Sequence, residues 1–294
     1  MVDIEELKKE KTIKELLEFG ILNIDKSSGP TSFNISDYVR KKLNLRKTSH
    51  FGTLDPKVTG VLPIGLNRGC KLTGFFLGED KEYVGIMRFH KEVNQKEVEE
   101  IIKKKFLGEI TQLPPLKSRV KRQERQREIK EFVILEQETT DFLFRVVCQG
   151  GTYIRKLIDD LGKEMNISAH MLELRRTRAG IFLEDDKKYP SIKLYDFKKA
   201  VEEYKNGEEK LLREMIIPGE IVSKLHKTFE IKSGEKKRLL TGKPLYRKDL
   251  VKEEKLEKEE IICIFDKNEF VGIYKVINGE DILAKPDFVF QIIG

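Results

Sequence analysis

Helical and strand-like hydrophobic patterns follow one another along the chain without a regular β-α-β repeat. Residues 3–19 alternate Glu and Lys around apolar residues, which predicts a charged amphipathic helix. The apolar run 20–25 predicts a short strand. A turn follows, and Thr31 or Ser32 is expected to cap a helix that extends to Leu43.

Further elements up to residue 213 are predicted in the same way. They are β-type runs at 61–64 and 82–89, a helix at 95–106, antiparallel strands within 131–148, and helices at 153–165 and 195–213. Strands and helices are mixed without the rhythm of a parallel α/β protein. The pattern therefore predicts an α+β fold, built on a mixed, largely antiparallel sheet with flanking helices.

The pattern changes after residues 217–219, where Ile-Pro-Gly interrupts the chain. Short β-type runs at 261–265 and 270–274 flank residues 266–269, which predict a hairpin turn. We therefore expect a small, separate β-rich module. The predicted organisation is an N-terminal extension, a central domain and a C-terminal module, at residues 1–19, 20–213 and 218–294.

The composition adds a candidate class of partner. Charged residues make up 36% of the 294 residues, the formal net charge is +7, and the pI is about 9.0. A basic balance favours a polyanionic partner, and nucleic acid is the commonest one. A solvated Lys- and Glu-rich surface, as in thermophilic proteins, is the alternative explanation of the same composition.

Several classes of site are not predicted. The three cysteines stand far apart with no His at ligand spacing, so neither a disulfide framework nor a zinc site is expected. Nothing in the sequence places His90, His170 and His226 together for metal or base chemistry. No signal peptide is recognisable, and no apolar run approaches the ~20 residues that span a bilayer. We expect a cytoplasmic protein without membrane association.

The segment from Gly52 to Pro56 (GTLDP) contains the first candidate for chemistry. The proline disfavours helix at Asp55, and Gly52 permits a tight backbone path. Such a loop can present a carboxylate into a cleft. From these local features alone, an ordinary turn in which Asp55 bonds nearby amides is the favoured interpretation.

Five blocks in fixed order change that interpretation. They are KSSGPTS at 26–32, SHFGTLDPKVTGVLP at 49–63, KEYVG at 81–85, GTYIRKL at 151–157 and AHMLELRR at 169–176. In these blocks the chain resembles the TruB family of pseudouridine synthases, and specifically its dyskerin-like, guide-RNA-dependent branch. The resemblance covers about residues 18–185 and implies the pseudouridine synthase fold.

The resemblance implies a role for each matched residue. Asp55 corresponds to the nucleophilic aspartate, Tyr83 to the tyrosine that stacks on the target uracil and is a candidate base, and Arg155 to the arginine that pairs with the aspartate. An arginine within reach keeps a carboxylate ionised and hence nucleophilic. An aromatic face stacks on a base that has left its helical stack.

Three further matches imply contacts with the substrate. His50 corresponds to the histidine that meets the flipped nucleotide, Leu174 to a leucine of the same pocket, and Lys26 to the lysine of the first block. By residue type alone, Leu174 would be an ordinary core residue and Lys26 a solvated turn residue. The resemblance is what gives them a function.

The implied reaction isomerises uridine and needs no metal, nucleotide cofactor or redox centre. The lack of a dinucleotide fingerprint, a phosphate-binding Lys-Ser/Thr loop or a Cys/His cluster agrees with this expectation. A glycosidase, the most distant alternative, would need two carboxylates flanking a sugar. No second Asp or Glu stands out.

Residues 116–130 hold seven Lys or Arg against two Glu. A solvated surface segment is the simplest explanation, but this excess also predicts phosphate contacts. The segment lies where the family has its RNA-gripping thumb loop, and it lacks the longer Gly- and Tyr-containing pattern of stand-alone bacterial enzymes. The predicted RNA-binding residues are Lys121, Arg122, Arg125 and Arg127.

The C-terminal module resembles an RNA-binding PUA domain in LLTGKP at 239–244 and VGIY at 271–274. The leading hypothesis is the catalytic subunit of an archaeal-type H/ACA ribonucleoprotein. Its implied partners are a guide RNA, rRNA and possible tRNA substrates, and small accessory subunits. The alternatives are a stand-alone tRNA synthase and a non-catalytic RNA scaffold; the complete set Asp55, Tyr83 and Arg155 argues against the scaffold.

Overall fold

The computed structural model describes residues 3–114, 123–252 and 254–291. These residues divide into two compact units, a larger one spanning Leu17–Ile217 and a smaller one that joins residues 3–16 to residues 218–291.

The described helices are, in chain order, α1 (Ile4–Glu10), α2 (Ile13–Glu18), α3 (Ser32–Lys42), α4 (Thr73–Leu77), α5 (Gln95–Lys105), α6 (Ile154–Glu164), α7 (Leu194–Lys205), α8 (Lys210–Met215) and α9 (Lys236–Leu240). The described strands are β1 (Phe19–Lys26), β2 (Thr48–His50), β3 (Thr59–Asn67), β4 (Lys81–Phe89), β5 (Gly108–Gln112), β6 (Arg125–Glu138), β7 (Asp141–Cys148), β8 (Ala169–Ala179), β9 (Phe182–Leu183), β10 (Ile192–Lys193), β11 (Ile216–Pro218), β12 (Lys227–Glu230), β13 (Leu245–Tyr246), β14 (Ile261–Asp266), β15 (Glu269–Val276) and β16 (Ile282–Val289).

Among the described residues, eleven strands form one large sheet in the order β10-β1-β3-β8-β4-β7-β6-β5, in which β2 also pairs with β3, β9 with β8 and β11 with β1. The β1–β10 and β3–β8 pairs are parallel, whereas β4 pairs antiparallel with both β7 and β8. Helices flank this sheet. The predicted α+β fold with a mixed, largely antiparallel sheet is confirmed.

The alternation of apolar residues explains how the sheet buries one face. β4 is buried at every second position, and β7 turns Phe142, Phe144 and Val146 inward with no exposed surface. Helix α6 packs against β8 through apolar residues spaced three and four apart, among them Ile154, Leu157 and Ile158. β4 and β8 therefore lie at the centre of the packed core.

Two predicted helices are each broken into two. The predicted helix 3–19 is interrupted at Lys11 and Thr12, because the Thr12 hydroxyl accepts from the Glu15 amide while the Glu15 carboxylate accepts from the Thr12 amide. This capping box starts a new helix. The predicted helix 195–213 is interrupted at Gly207, whose φ of +96° ends α7 in a conformation that glycine adopts readily.

The smaller unit contains a five-stranded sheet in the order β12-β14-β15-β16-β13. The predicted hairpin at 266–269 is present between β14 and β15. The Lys11 ammonium forms an ion pair with Glu220 and lies 5.9 Å from the centre of the Phe290 ring. The core of this sheet is formed mainly by Phe229, Ile231, Leu239, Leu245, Leu250, Ile262, Ile264, Val271, Tyr274, Val276 and Leu283.

Membrane insertion through a helix is not supported by the described part of the chain. None of its helices combines the length and the apolar character that crossing a bilayer requires.

Candidate active site

The loop that carries Asp55 connects β2 to β3 and is fixed by apolar anchors on both sides of the carboxylate. Phe51 is buried and stacks on Phe76, with ring centres 5.2 Å apart and ring planes 9° from parallel. Leu54 and Val58, which precede and follow Asp55, are also buried. Gly52 has a φ of +106°, the conformation that the sequence led us to expect from a glycine at this position. Asp55 itself remains exposed between these anchors.

Ser32 holds the loop through a reciprocal pair of hydrogen bonds. Its buried hydroxyl accepts from the Leu54 amide at 2.8 Å and donates to the Leu54 carbonyl at 3.0 Å. Ser32 begins α3, which Thr31 caps by accepting a hydrogen bond from the Asn34 amide. The start of this helix therefore fixes the residue directly before Asp55.

Lys26 holds the other side of the loop. Its side chain is completely buried, and its ammonium donates to the carbonyls of Ser27 at 2.9 Å, Pro56 at 2.9 Å and Val58 at 2.8 Å. Burial lowers the pKa of Lys26, and the Asp55 carboxylate opposes that shift. All three N–H donors are used within the protein. The predicted contact between Lys26 and substrate stays a prediction, and the structure gives this lysine a positioning task.

Arg176 is a third clamp, and it is 1% exposed. Its guanidinium donates from Nε to the Val61 carbonyl at 2.8 Å and from Nη2 to the Gly52 carbonyl at 3.0 Å. Burial of so polar a group is costly unless it is hydrogen-bonded. These two hydrogen bonds satisfy the buried guanidinium and place the charge of Arg176 directly behind the Asp55 loop.

Asp55 and Arg155 meet although they are one hundred residues apart in the chain. Arg155 lies in the first turn of α6, and its Nη2 pairs with Oδ2 of Asp55. The side chain of Arg155 is 61% exposed and that of Asp55 is 48% exposed, so this pair contributes little to folding stability. The predicted contact is present, and its catalytic role stays a prediction.

Tyr83 lies on β4 directly opposite Arg176 of β8. The side chain is buried, and burial raises the pKa of its phenol, against the opposing effect of the Arg176 guanidinium. The Asp55 carboxylate raises it further. The phenol is therefore protonated at neutral pH. A role as base would have to start from the neutral hydroxyl.

His50 and Leu174 lie on strands β2 and β8, which both pair with β3. His50 ends β2, and its Nε2 lies 3.1 Å from the Thr53 hydroxyl. Burial lowers the pKa of His50, and the Arg176 charge adds to this effect, so the imidazole is neutral at neutral pH. Leu174 is buried on β8, opposite Gly85 of β4. Their proposed contacts with a nucleotide stay predictions.

Lys81 is a second buried lysine behind the loop. It starts β4 and is 3% exposed, and its ammonium donates to the carbonyls of Phe76 and Leu77 at 3.3 Å each and also to that of Glu79. It thereby satisfies carbonyls at the end of α4. Burial lowers the pKa of Lys81 to about 8, and the nearby Arg176 charge contributes.

This shift predicts a stability change with pH. Below pH 8 Lys81 is charged in both states, whereas between pH 8 and about 10.5 the unfolded chain binds the proton more tightly. The contribution of Lys81 to the free energy of unfolding is thus fully present above about pH 10.5 and is lost as the pH falls through 8. Relative to Lys81→Met, we expect the wild-type free energy of unfolding to rise by up to about 3 kcal/mol across this window. Denaturant unfolding at several pH values measures it; parallel curves for the two proteins would contradict it.

Sequence reasoning missed three of the residues that build the site. Arg176, Ser32 and Lys81 all lie within the five blocks, yet none was predicted to belong to the site, and Ser32 was considered only as a helix cap. Their common signal is a polar residue within an otherwise apolar strand or at a helix start. Burial and long-range carbonyl partners are what reveal their function.

The expectation for the histidines is wrong in one respect. His90 Nε2 lies 2.9 Å from His170 Nδ1, because β4 pairs with β8 and brings the strand ends together. Both residues are exposed. No group of three or more His, Cys, Asp or Glu side chains suited to a metal occurs among residues 3–114, 123–252 and 254–291.

The predicted basic thumb is described only in part. Lys121 and Arg122 lie outside the described residues, whereas Arg125 and Arg127 begin β6, which pairs with β5. In the described part of the chain, Nε of each of these two arginines lacks a hydrogen-bond partner. A side chain on Gly151 would lie 3.2 Å from Arg127 Nη2, so Arg127 reaches the turn that precedes α6 and Arg155.

Two protein families match consecutive parts of the chain. The family described as TruB family pseudouridylate synthase (N terminal domain) matches residues 40–154. The tRNA pseudouridylate synthase B C-terminal domain matches residues 155–223. A protein of Methanocaldococcus jannaschii named probable tRNA pseudouridine synthase B is 40% identical over 278 residues, which cover 93% of this chain and 81% of the relative.

Two solved structures are similar over nearly the whole chain. One chain of a Cbf5-Nop10-Gar1 complex aligns with a TM-score of 0.88 at 34% identity, covering 97% of this chain and 88% of that one. A chain of an H/ACA ribonucleoprotein bound to a substrate RNA containing 2′-deoxyuridine aligns with a TM-score of 0.86 at 32% identity, covering 97% and 89%.

Proposed function

The chain belongs to the TruB family of pseudouridine synthases, and on this premise we propose that it is the catalytic subunit of an H/ACA-type ribonucleoprotein. As a member of the family it is an isomerase that acts on uridine in RNA. What we propose beyond the family membership is how the target uridine reaches the active site. A guide RNA would select it by base pairing, with rRNA as the main substrate and tRNA as a possible second one.

The proposal is supported by the structural similarity to chains from H/ACA complexes, which extends across both compact units. The names of sequence relatives favour a different substrate, since they read probable tRNA pseudouridine synthase B. A stand-alone tRNA synthase is therefore the second candidate.

One observation carries the catalytic part of the proposal: the rigid presentation of a half-exposed Asp55 beside Arg155 and near Tyr83. We infer that the Asp55 carboxylate reacts with a flipped uridine, that Arg155 orients it, and that the Tyr83 ring stacks on the uracil. The bond from C1′ to N1 breaks, the base turns, and C1′ bonds to C5. The C5 hydrogen leaves as a proton, and N1 gains one.

The fixed loop matters for this chemistry. Buried clamps from Ser32, Lys26 and Arg176 hold the backbone on both sides of Asp55, so the backbone that carries the carboxylate is preorganised. Such preorganisation is expected of a catalytic residue and is unnecessary for an ordinary surface turn.

We further propose that the smaller unit includes a PUA domain that holds the guide RNA, with residues 1–19 as an extension associated with it. Its five-stranded sheet and its separate apolar core agree with this assignment. Small subunits comparable to Nop10 and Gar1 would complete the particle, as in the complex of the similar chain.

Guide dependence is tested with RNA that carries tritium at C5 of uridine. Each isomerisation releases one tritium to solvent. We expect release from a target strand only when a matching H/ACA-type guide and the small subunits are present, and slow or no release from naked tRNA. Fast release from tRNA alone, without any increase on adding guide and subunits, would favour the stand-alone enzyme.

The basic segment gives a prediction that is independent of turnover. The double variant Arg125→Ala and Arg127→Ala should bind RNA more weakly, and the slope of log Kd against log salt should fall by about 1.5 to 2. The position of both arginines in the basic segment 116–130, at the start of β6, motivates this choice. Filter binding at several salt concentrations measures it. Lys103→Ala with Lys104→Ala on α5 removes the same charge as a control, and an unchanged slope in the arginine variant would refute the thumb assignment.

A further inference from the structure

A cavity of about 470 Å³ opens beside the Asp55 loop, within the larger unit. Its lining residues include Ser27, Ser28 and Thr59, together with Lys193 and Tyr195. Its volume lies in the range of pockets that hold one small ligand and is far too small for a nucleic-acid helix. The reacting groups Asp55, Tyr83 and Arg155 do not line it.

The cavity is joined to the catalytic loop by shared residues. Lys26 lines it, and the ammonium of the same lysine holds the carbonyls of Pro56 and Val58. Thr59 follows Asp55 by four residues, so their Cα atoms are separated by roughly 14 Å at most. The Val58 amide donates to the Asp55 carbonyl at 3.0 Å, and this turn shortens the separation. The part of the cavity lined by Thr59 therefore lies close to the Asp55 backbone.

Tyr195 supplies an unused aromatic face at the rim. It lies in the first turn of α7, and it is 78% exposed although the next aromatic of the helix, Phe197, is completely buried. A single exposed aromatic residue is unremarkable in itself. Here it borders a cavity that also carries hydroxyl groups from Ser27, Ser28 and Thr59, which suit the polar edges and ribose of a nucleotide.

The charges of the cavity favour an anionic ligand at one end. Arg175 is neutralised by Asp25, with two contacts of 3.0 Å, and by Glu184 at 2.6 Å. Lys193 is exposed and has no ion-pair partner among the described residues. Its ammonium is thus available for a phosphate, while the Tyr195 ring is available for a base.

We propose that this cavity binds an unpaired nucleotide that flanks the target uridine, with its base stacked on Tyr195 and its phosphate near Lys193. The proposal rests on the RNA-modifying function and adds a substrate contact outside the reacting centre. Stacking on an aromatic side chain tolerates any base, so the site would hold the strand in place without selecting its sequence.

The test uses the full-length chain with whichever RNA it modifies, a tRNA transcript or a guide-paired strand assembled with the small subunits. The fluorescent base 2-aminopurine is placed at each position flanking the target in turn. We expect quenching at one position, lost in Tyr195→Ala and kept in Tyr195→Phe. Tyr195→Ala should also weaken RNA binding by about 5- to 100-fold, and Lys193→Ala should lower the salt slope by about 1.

Lys205→Ala, an exposed lysine at the far end of α7, is the matched control and should bind RNA like the wild type. Turnover at saturating RNA should persist in Tyr195→Ala, because this residue touches none of the reacting groups. If uridine is isomerised but Tyr195→Ala changes neither affinity nor quenching, the nucleotide site is wrong and the enzymatic function stands. If no RNA is modified at all, the proposed function fails first.

Discussion

Replacing Asp55 by Asn is expected to reduce uridine isomerisation by at least about 10⁴-fold while RNA binding stays close to wild type. The amide has the shape of the carboxylate but is neither a nucleophile nor a base at neutral pH. Asp55 is half exposed, and its ion pair with the exposed Arg155 contributes little to stability, so folding should be nearly unaffected. Tritium release measures turnover, and filter binding measures affinity.

Asp159→Asn is the matched control for this variant. Asp159 lies on α6, is 47% exposed against 48% for Asp55, and also pairs with a cation, Lys163 at 2.6 Å. The same change at a similar surface position should leave turnover intact. Near wild-type turnover in Asp55→Asn, or an equal loss in both variants, would contradict the assignment of Asp55.

Replacing Lys26 by Met should produce the second largest effect. Three carbonyls lose their donor, two of them in the Asp55 loop, and methionine cannot satisfy them. We expect a loss of about 3 kcal/mol in the free energy of unfolding, together with a fall in kcat of about 10²-fold because the carboxylate is no longer held in place. Denaturant unfolding and single-turnover kinetics measure the two effects.

The balance between kcat and KM separates the two possible roles of Lys26. A lysine that positions the loop changes kcat and stability and leaves KM nearly constant, whereas a lysine that contacts RNA raises KM. Lys57→Met makes the same substitution at an exposed position of the same loop and should leave stability unchanged. A raised KM at wild-type stability in Lys26→Met would show that the predicted substrate contact is its main role.

Local signals in the sequence predicted most of the elements, because their causes are local. Helix α3 begins where Thr31 and Asn34 form a capping box, and β4 alternates buried and exposed residues as a half-buried strand must. The two helices that were predicted too long, 3–19 and 195–213, are also interrupted by local features. The capping box at Thr12 and the glycine at 207 both carry recognisable signals of a boundary.

The sequence predicted the candidate active site only in part. Asp55 and Arg155 are one hundred residues apart, and no periodicity or spacing predicts their contact. The resemblance carried by the five blocks predicted it. Arg176 and Lys26 belong to residue types that are usually exposed, so their burial depends on carbonyls supplied by distant strands and loops. The meeting of His90 and His170 likewise follows from the pairing of β4 with β8, which a single sequence does not specify.

Conversion of uridine to pseudouridine in RNA is measured directly by the release of tritium from uridine labelled at C5. With guide RNA, small subunits and a matching target strand, we expect one tritium released for each target uridine, and none from the same assembly carrying Asp55→Asn. Firm binding of the target strand without tritium release from the wild-type assembly, or from tRNA, would contradict the account and leave the chain as an RNA-binding scaffold.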